Sequence, residues 1–421
     1  MRLICGPETF RMKVPRGSRR VVLYGSSIDG SGSAGAAAAD DIRREGLNPD
    51  VHSWDFLSIA LAVMVADLVQ RDPSPDGWTR DLTLDVAVSD PAFWNERAGL
   101  IESVLAFLTT DRWAFRFHGG GAVPPAPKKP RAFPQDSVVL LSGGMDSLVG
   151  AIDLTVAGRK PFAVSQIVTG DKEKQIEFAT VIGGGLDHLQ VNHNAYVPGV
   201  AERSQRARSF IFITFGLVAA TCLRRYRDGA EIPLYMCENG LIALNPPLTG
   251  IRLGSLSTRT AHPEYLARLQ RLFDAAGFRV RLENPYQTRT KGEMLVGCAD
   301  QELLARFAVN TTSCGRFLRY GYRHCGRCVP CQVRRAAFLR WGREDATDYV
   351  FRDLGRQDED HAAFDDVRAV AMALAEVRDV GIQQWVRSRL ALSAFEANEL
   401  EALVARGFAE LEQLHERYNV R

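Results

Sequence analysis

Brief apolar runs alternating with stretches of helical spacing dominate the middle of the chain. Ser137 to Leu141, Phe162 to Val168, His188 to Val191 and Pro233 to Met236 have the length and content of strands. Ser147 to Val156, Gln175 to Val181 and Arg208 to Arg224 between them repeat apolar residues with a helical period. Apolar strands regularly separated by helices predict an α/β unit, a parallel sheet covered on both faces. Upstream, Arg20 to Tyr24 and Leu82 to Val88 read as strands, whereas Asp55 to Val69 and Pro91 to Leu108 read as helices, which predicts a small α+β domain. The tail from His361 repeats Leu400, Leu403, Val404, Phe408, Leu411 and Leu414 at helical spacing, as a helical cap or interface would. The longest apolar runs, Phe56 to Ala66 and Phe210 to Leu223, fall short of the roughly 18 residues of a bilayer span and predict buried helices.

Gly119-Gly120-Gly121 and the prolines from Pro124 to Pro134 continue neither a helix nor a central strand. They divide the chain into an N-terminal α+β domain (1–118), a linker (119–135), an α/β domain (136–345) and a helical region (346–421). Hydrophobic residues at 46% and charged residues at 24% describe a folded protein and exclude extended disorder. Lys+Arg 52 against Asp+Glu 50 excludes a general nucleic-acid coat and leaves only a local basic patch. Residues 1–13 interleave charges with apolar residues and lack the core of a signal peptide, so a cytoplasmic protein with no membrane partner is expected.

Candidate chemistry sits in two places. Val138-Val-Leu-Leu141 runs directly into Ser142-Gly143-Gly144-Met145-Asp146-Ser147 and then into a helix, at the carboxyl end of the sheet's opening strand, where open α/β sheets bind ligands. Glycines let backbone N–H groups approach a phosphate, Ser142 and Ser147 offer hydroxyls, and the helix directs its positive end at the anion. Asp146, read as exposed on this loop, opposes phosphate unless Mg²⁺ intervenes; otherwise it is the N-cap of a plain glycine turn. No Gly-Lys-Ser/Thr follows, so this is not a Walker A loop. The second place is Cys314, Cys325, Cys328 and Cys331, whose spacing suits a closed structural Zn²⁺ site. Arginines 316, 319, 323, 327, 334, 335, 340 and 343 surround it, either neutralising the thiolates or contacting a phosphate or nucleic acid. Cys5, Cys222, Cys237 and Cys298 are scattered and read as small buried thiols.

Ser142-Gly-Gly-Met-Asp-Ser147 resembles the PP-loop of the ATP pyrophosphatase superfamily, whose members split ATP between the α and β phosphates to adenylate a substrate oxygen. Thr311-Thr-Ser-Cys314 with His324-Cys325-Gly-Arg-Cys328-Val-Pro-Cys331, the helix opening at Arg208, and Asn284-Pro285 with Thr290-Lys291-Gly292-Glu293 narrow the likeness to the 7-cyano-7-deazaguanine synthase (QueC) family, over about half the chain. The resemblance implies ATP over Ser142, Gly143, Gly144, Asp146 and Ser147, with Arg208 neutralising its phosphates and Lys291 completing a catalytic set with Asp146 and Ser147. The family's usual substrate stretch is replaced here by Glu238-Asn239-Gly240 and by a segment that includes Arg259 and His262, so these become the substrate candidates. The replacement and the added first domain resemble the QueC-like proteins of antiphage operons, the Qat system (QatC) most closely and type IV cyclic-oligonucleotide (CBASS) systems next. That resemblance implies 7-carboxy-7-deazaguanine joined to the amino terminus of a partner protein from the same operon, gripped by the first domain, which deletion should separate cleanly from zinc binding and adenylation. The competing readings are an ammonia-using synthase, a PP-loop tRNA thiolase with an iron–sulfur cluster, and an idle scaffold of a defence complex.

Overall fold

The computed structural model describes the chain except residues 29, 72, 249–258, 356–364, 391–396 and 421. Five strands open it: β1 (Arg2–Gly6), β2 (Ser18–Leu23), β3 (Gly32–Ala34), β4 (Asp81–Ala87) and β5 (Arg112–His118), in the order β3-β2-β1-β4-β5. All four pairings are parallel. The helices between them are α1 (Ala36–Arg44), α2 (Val51–Asp67), α3 (Pro91–Glu96) and α4 (Ala98–Thr109). The α+β expectation is therefore corrected to α/β. Only β2 and β4 stand out in the sequence, and without the short β1 and β3 or the alternating β5 the parallel crossovers go unseen.

A second parallel sheet follows, of β6 (Ser137–Leu140), β7 (Pro161–Gln166), β8 (His188–Val191), β9 (Ile232–Tyr235) and β10 (Val280–Glu283), ordered β10-β9-β6-β7-β8. Its helices are α5 (Met145–Val156), α6 (Lys172–Val181), α7 (Arg208–Cys222), α8 (Arg224–Arg227), α9 (Gly240–Leu244), α10 (Pro263–Ala275), α11 (Lys291–Val296), α12 (Gln301–Phe307) and α13 (Val329–Trp341). Val139 and Leu141 pack with α5 on one face; Val138 and Leu140 pack with α7 on the other. Both faces are covered, as the uninterrupted apolar strands require. Gly150 lets α5 lie directly against the Cys237 side chain, because any Cβ there would collide with its Sγ.

The two sheets share one core. Helix α2 is buried all round from Ser53 to Asp67 and lies against α7, itself buried over nearly its whole length. Phe56 of α2 meets Phe210 of α7 edge-on at 5.3 Å and Phe273 of α10 at 5.7 Å. Helices apolar on every side are interior helices, which is how both long apolar runs are used. Separable removal of 1–118 does not follow from this packing. The stretch between β5 and β6 is irregular, yet Phe133 is buried and bridges to Leu223.

The helices Asp365–Val380, Ile382–Arg389 and Ala397–Arg417 form a further apolar cluster with α9 and α13 that includes Leu400, Leu403, Val404, Phe408, Leu411 and Leu414. No described helix is long and apolar enough to cross a membrane.

Candidate functional site

Beyond β6 the chain turns through Ser142, Gly143 and Gly144 into α5. Gly143 adopts φ +87°, a left-handed conformation, and a Cβ there would press on Asp171 at 3.2 Å. The turn is braced from within: Ser147 Oγ donates to the Gly144 carbonyl (3.0 Å) and lies 3.0 Å from Ser142 Oγ, which accepts from the Gly144 amide (3.2 Å). The amides of Met145, Asp146 and Ser147, in the opening turn of α5, have no backbone acceptor among the described residues. A 12-residue helix thus begins with free donors beside a glycine turn, an arrangement suited to an anion.

Asp146 departs from expectation. It is buried, and its carboxylate does not face solvent from the loop. Oδ2 accepts from the Asn239 amide (3.1 Å) and from Asn239 Nδ2 (2.7 Å), and Oδ1 is ion-paired with Lys291 Nζ. Asn239 Nδ2 also lies 3.2 Å from Glu238 Oε1. Four residues read separately from the sequence, Asp146, Glu238, Asn239 and Lys291, therefore meet at the carboxyl edge of β6 and β9. Burial alone would raise the Asp146 carboxyl; the Lys291 ammonium and the surrounding hydrogen bonds outweigh it and hold the group below the usual carboxylate range. Burial and the Asp146 charge push Glu238 well above that range. Two facing carboxyl groups that ionise together only with added positive charge are hard oxygen donors, a set that fits Mg²⁺.

Each member is positioned from its own element. Asn239 caps α9, with Oδ1 accepting from the Ile242 amide (3.1 Å). Asn284 clamps Glu238 through both its backbone N–H (3.3 Å) and its carbonyl (2.8 Å). Thr290 and Glu293 form a capping box that starts α11 at Lys291. The C-terminal helix braces this turn: Glu410 accepts from Thr290 Oγ1 (2.5 Å), and Arg406 bonds to Glu293 Oε1 and the Thr288 carbonyl (2.7 Å each).

The sulfur atoms of Cys314, Cys325, Cys328 and Cys331 lie within 4.8 Å of one another, and all four residues are buried. Cys325 to Cys331 and Cys328 to Cys314 are 3.9 Å apart, close to the roughly 3.8 Å edge of a tetrahedron with Zn–S bonds of about 2.3 Å. Backbone amides of Cys325 and Arg316 point at Cys314 Sγ, and those of Arg327 and Cys328 at Cys325 Sγ, so the donor set is oriented for a metal-bound thiolate cluster. The segment reaches the loop directly, because the Thr312 amide donates to the Gly143 carbonyl (3.0 Å). The surrounding arginines are mostly spent on the protein itself. Arg334 is wholly buried and donates to the Thr311, Ala308 and Val309 carbonyls; Arg335 donates to those of Gly326 and Arg352. Arg316, Arg323 and Arg340 pair with Asp366, Asp348 and Glu410. Five of the eight arginines thus have partners within the protein. Cys5, Cys222, Cys237 and Cys298 are free and buried.

Arg208 opens α7 at the same sheet edge, where desolvation depresses its guanidinium below the ordinary value and the Asp171 and Asp67 carboxylates act in the opposite direction. Arg259 and His262 are placed differently. Arg259 donates to the Phe107 carbonyl (2.9 Å) and lies over the Phe107 ring, while His262 caps α10 through Nδ1 and also packs on Phe107. Neither contacts the Asp146 cluster among the described residues, and 249–258, the rest of that replaced stretch, lie outside them. Asp171, Lys174 and Thr312 line the loop without having been singled out: Thr312 Oγ1 donates to Asp171 Oδ1 (2.5 Å) and lies 2.6 Å from Lys174 Nζ. Only the adjacency of Thr311-Thr312 to Cys314 signalled any of them.

No family model matches the chain. Over 246 residues it is 28% identical to a 7-cyano-7-deazaguanine synthase of Rhizobium etli, covering 52% of this chain and 93% of that protein. This distant likeness supports a QueC-like family for that half of the chain.

Proposed function

We propose that the protein is an ATP-dependent adenylating enzyme that activates 7-carboxy-7-deazaguanine and passes it to an amine. The observation that carries this reading is the juxtaposition of the open α5 amides with the Asp146, Glu238, Asn239 and Lys291 cluster at one sheet edge. In the reaction a carboxylate oxygen bonds to the α-phosphorus as pyrophosphate leaves; the neutral amine then bonds to the acyl carbon and gives up a proton to solvent, and AMP leaves with the electron pair of the broken C–O bond. The carboxylate is already a nucleophile, so the protein's task is alignment and charge stabilisation. The α5 amides and Ser142 bind phosphate oxygens, and Arg208 faces the same edge. Asp146 and Glu238 would hold Mg²⁺, which when bound neutralises the polyphosphate. Lys291 keeps Asp146 ionised. Asn239 fixes the rotamers of both carboxyl groups.

The substrate class follows from the likeness to the 7-cyano-7-deazaguanine synthase. The acceptor we assign is the amino terminus of a partner protein, as in Qat-type defence, because the Glu238 to His262 stretch departs from the QueC pattern and a further parallel-sheet domain is present. An α-amino group of reference pKa about 7.7 to 8.0 is partly neutral near pH 7.5 and needs no strongly perturbed base. The same likeness favours a second reading, a nitrile-forming synthase that uses ammonia. Incubation with ATP, Mg²⁺ and 7-carboxy-7-deazaguanine, once with ammonium and once with partner proteins encoded beside it, separates the two. A deazaguanine-sized mass gain on a partner supports transfer; nitrile from ammonium with unchanged partner masses supports the synthase. No AMP in either arm defeats both.

A further inference from the structure

The connection from β8 to α7, residues 192–207, carries the chain to Arg208, and the first domain holds it along its length. The Asn192 amide donates to Asp41 Oδ2 (3.3 Å), and the Gly35 amide donates to the His193 carbonyl (2.8 Å). Asn194 Oδ1 accepts from the Gly35 and Ala37 amides (3.2 Å each). Ser33 and Tyr196 exchange two backbone hydrogen bonds (3.0 and 2.8 Å). Farther along, the Glu202 amide donates to the Leu68 carbonyl (2.8 Å), and its carboxylate accepts from the Arg71 amide (3.2 Å).

The last grip lies at the helix itself. Ala207, the N-cap residue of α7, supplies no capping side chain. Asp67, the final residue of α2, instead fixes the two residues that lead into the helix: its Oδ2 accepts from the Arg206 amide (2.6 Å) and the Ala207 amide (2.8 Å), while the Phe210 amide donates to the Ala207 carbonyl (3.0 Å). Asp67 is fully buried, and Arg80 holds its other oxygen (3.0 Å) while bonding to Asp111. The backbone that enters α7 is thus held by a buried carboxylate of another domain, which fixes the direction in which the helix sets out.

We infer that Asp67 is a positioning residue for the nucleotide: by holding Arg206 and Ala207, the first domain sets where Arg208 stands relative to the phosphates over Ser142 to Ser147. This rests on the ATP reading above. A carboxylate that acts only through Arg208 has no further effect once Arg208 is gone.

The test uses the full chain and measures ATP affinity calorimetrically with Mg²⁺, together with the KM for ATP and kcat of AMP formation. Asp67→Ala is expected to raise the Kd and KM for ATP about tenfold with kcat changed less than threefold. Asp67→Asn, which keeps an oxygen able to accept from the Arg206 and Ala207 amides, should recover most of the affinity. The double variant Asp67→Ala/Arg208→Ala should bind ATP no more weakly than Arg208→Ala alone. Multiplied losses in the double variant, or a fall in kcat with KM unchanged, overturn the inference while leaving the ATP reading intact. Failure of the unaltered protein to bind ATP overturns both. Should Asp67→Ala not fold, Glu202→Ala, which loosens the connection without touching Arg80 or Asp111, carries the same comparison with Arg208→Ala.

Discussion

The Asp146 carboxylate sits among two donors of Asn239 and the Lys291 ammonium, out of solvent, so its loss is felt by the fold as well as by any ligand. Asp146→Ala leaves a buried ammonium without its counter-charge and is expected to cost about 3 kcal/mol, read by urea denaturation, besides abolishing AMP formation. Asp146→Asn keeps the volume and should lose the activity at a smaller cost in stability. Lys291→Met removes the charge that holds Asp146 ionised beside Glu238; the acid limb of AMP formation should then move to higher pH, which a pH–rate profile checks. Histidines obey a related rule. Burial depresses His188, His193, His262 and His415 to about 4, below the ordinary 6.5. Their neutral forms belong to the folded state, so the stability they confer is complete above pH 6.5 and is lost as the pH falls toward 4, at about 1.4 kcal/mol per pH unit for each group. Denaturation midpoints at pH 7.5, 6 and 5 should fall in that order.

At the scale of elements, the cysteine segment and the C-terminal helix each end on a part of the site. Thr312, two residues before Cys314, ties the cysteine segment to the Gly143 carbonyl. One zinc per chain is expected by elemental analysis, with neither iron nor acid-labile sulfide. Stripping it with a strong chelator should release this tie and abolish AMP formation while most of the helical signal persists, as circular dichroism would record. Glu410 and Arg406 hold the turn that presents Lys291. Arg406→Ala is expected to lower stability by about 1 kcal/mol and to reduce AMP formation several-fold, as a single ion pair and a carbonyl bond are lost. The motif around Lys291 entered only as a family likeness, and the capping box of Thr290 with Glu293 emerged with the structure. The burial of Lys291 was not legible either, because Glu410, which braces this turn, lies 120 residues away in sequence.

Over the whole molecule, α2 and α7 form the seam between two parallel sheets, so residues 1–118 are part of the interior. A chain lacking them would bare Phe210, Ile211 and the rest of the α7 face to water and is expected to be insoluble or unfolded; expression yield and thermal denaturation check this. The sequence by itself determined the local matters. Strands β6 to β9 and the glycine turn follow from apolar runs and backbone freedom within a few residues, and the four cysteines have the spacing of a set that could hold a metal ion. The two all-apolar runs were recognisable as interior helices because nothing else accommodates an apolar surface on every side. What covers them was decided only by tertiary structure, since burial depends on partners from distant segments. The same holds for the meeting of Asp146 with Asn239 and Lys291, and for the parting of Arg259 and His262 toward Phe107. A side chain's neighbours, and with them its charge state, are set when the sheets pack. No periodicity along the chain encodes the carboxylate of Asp67 on the two residues that lead into a helix beginning at Arg208.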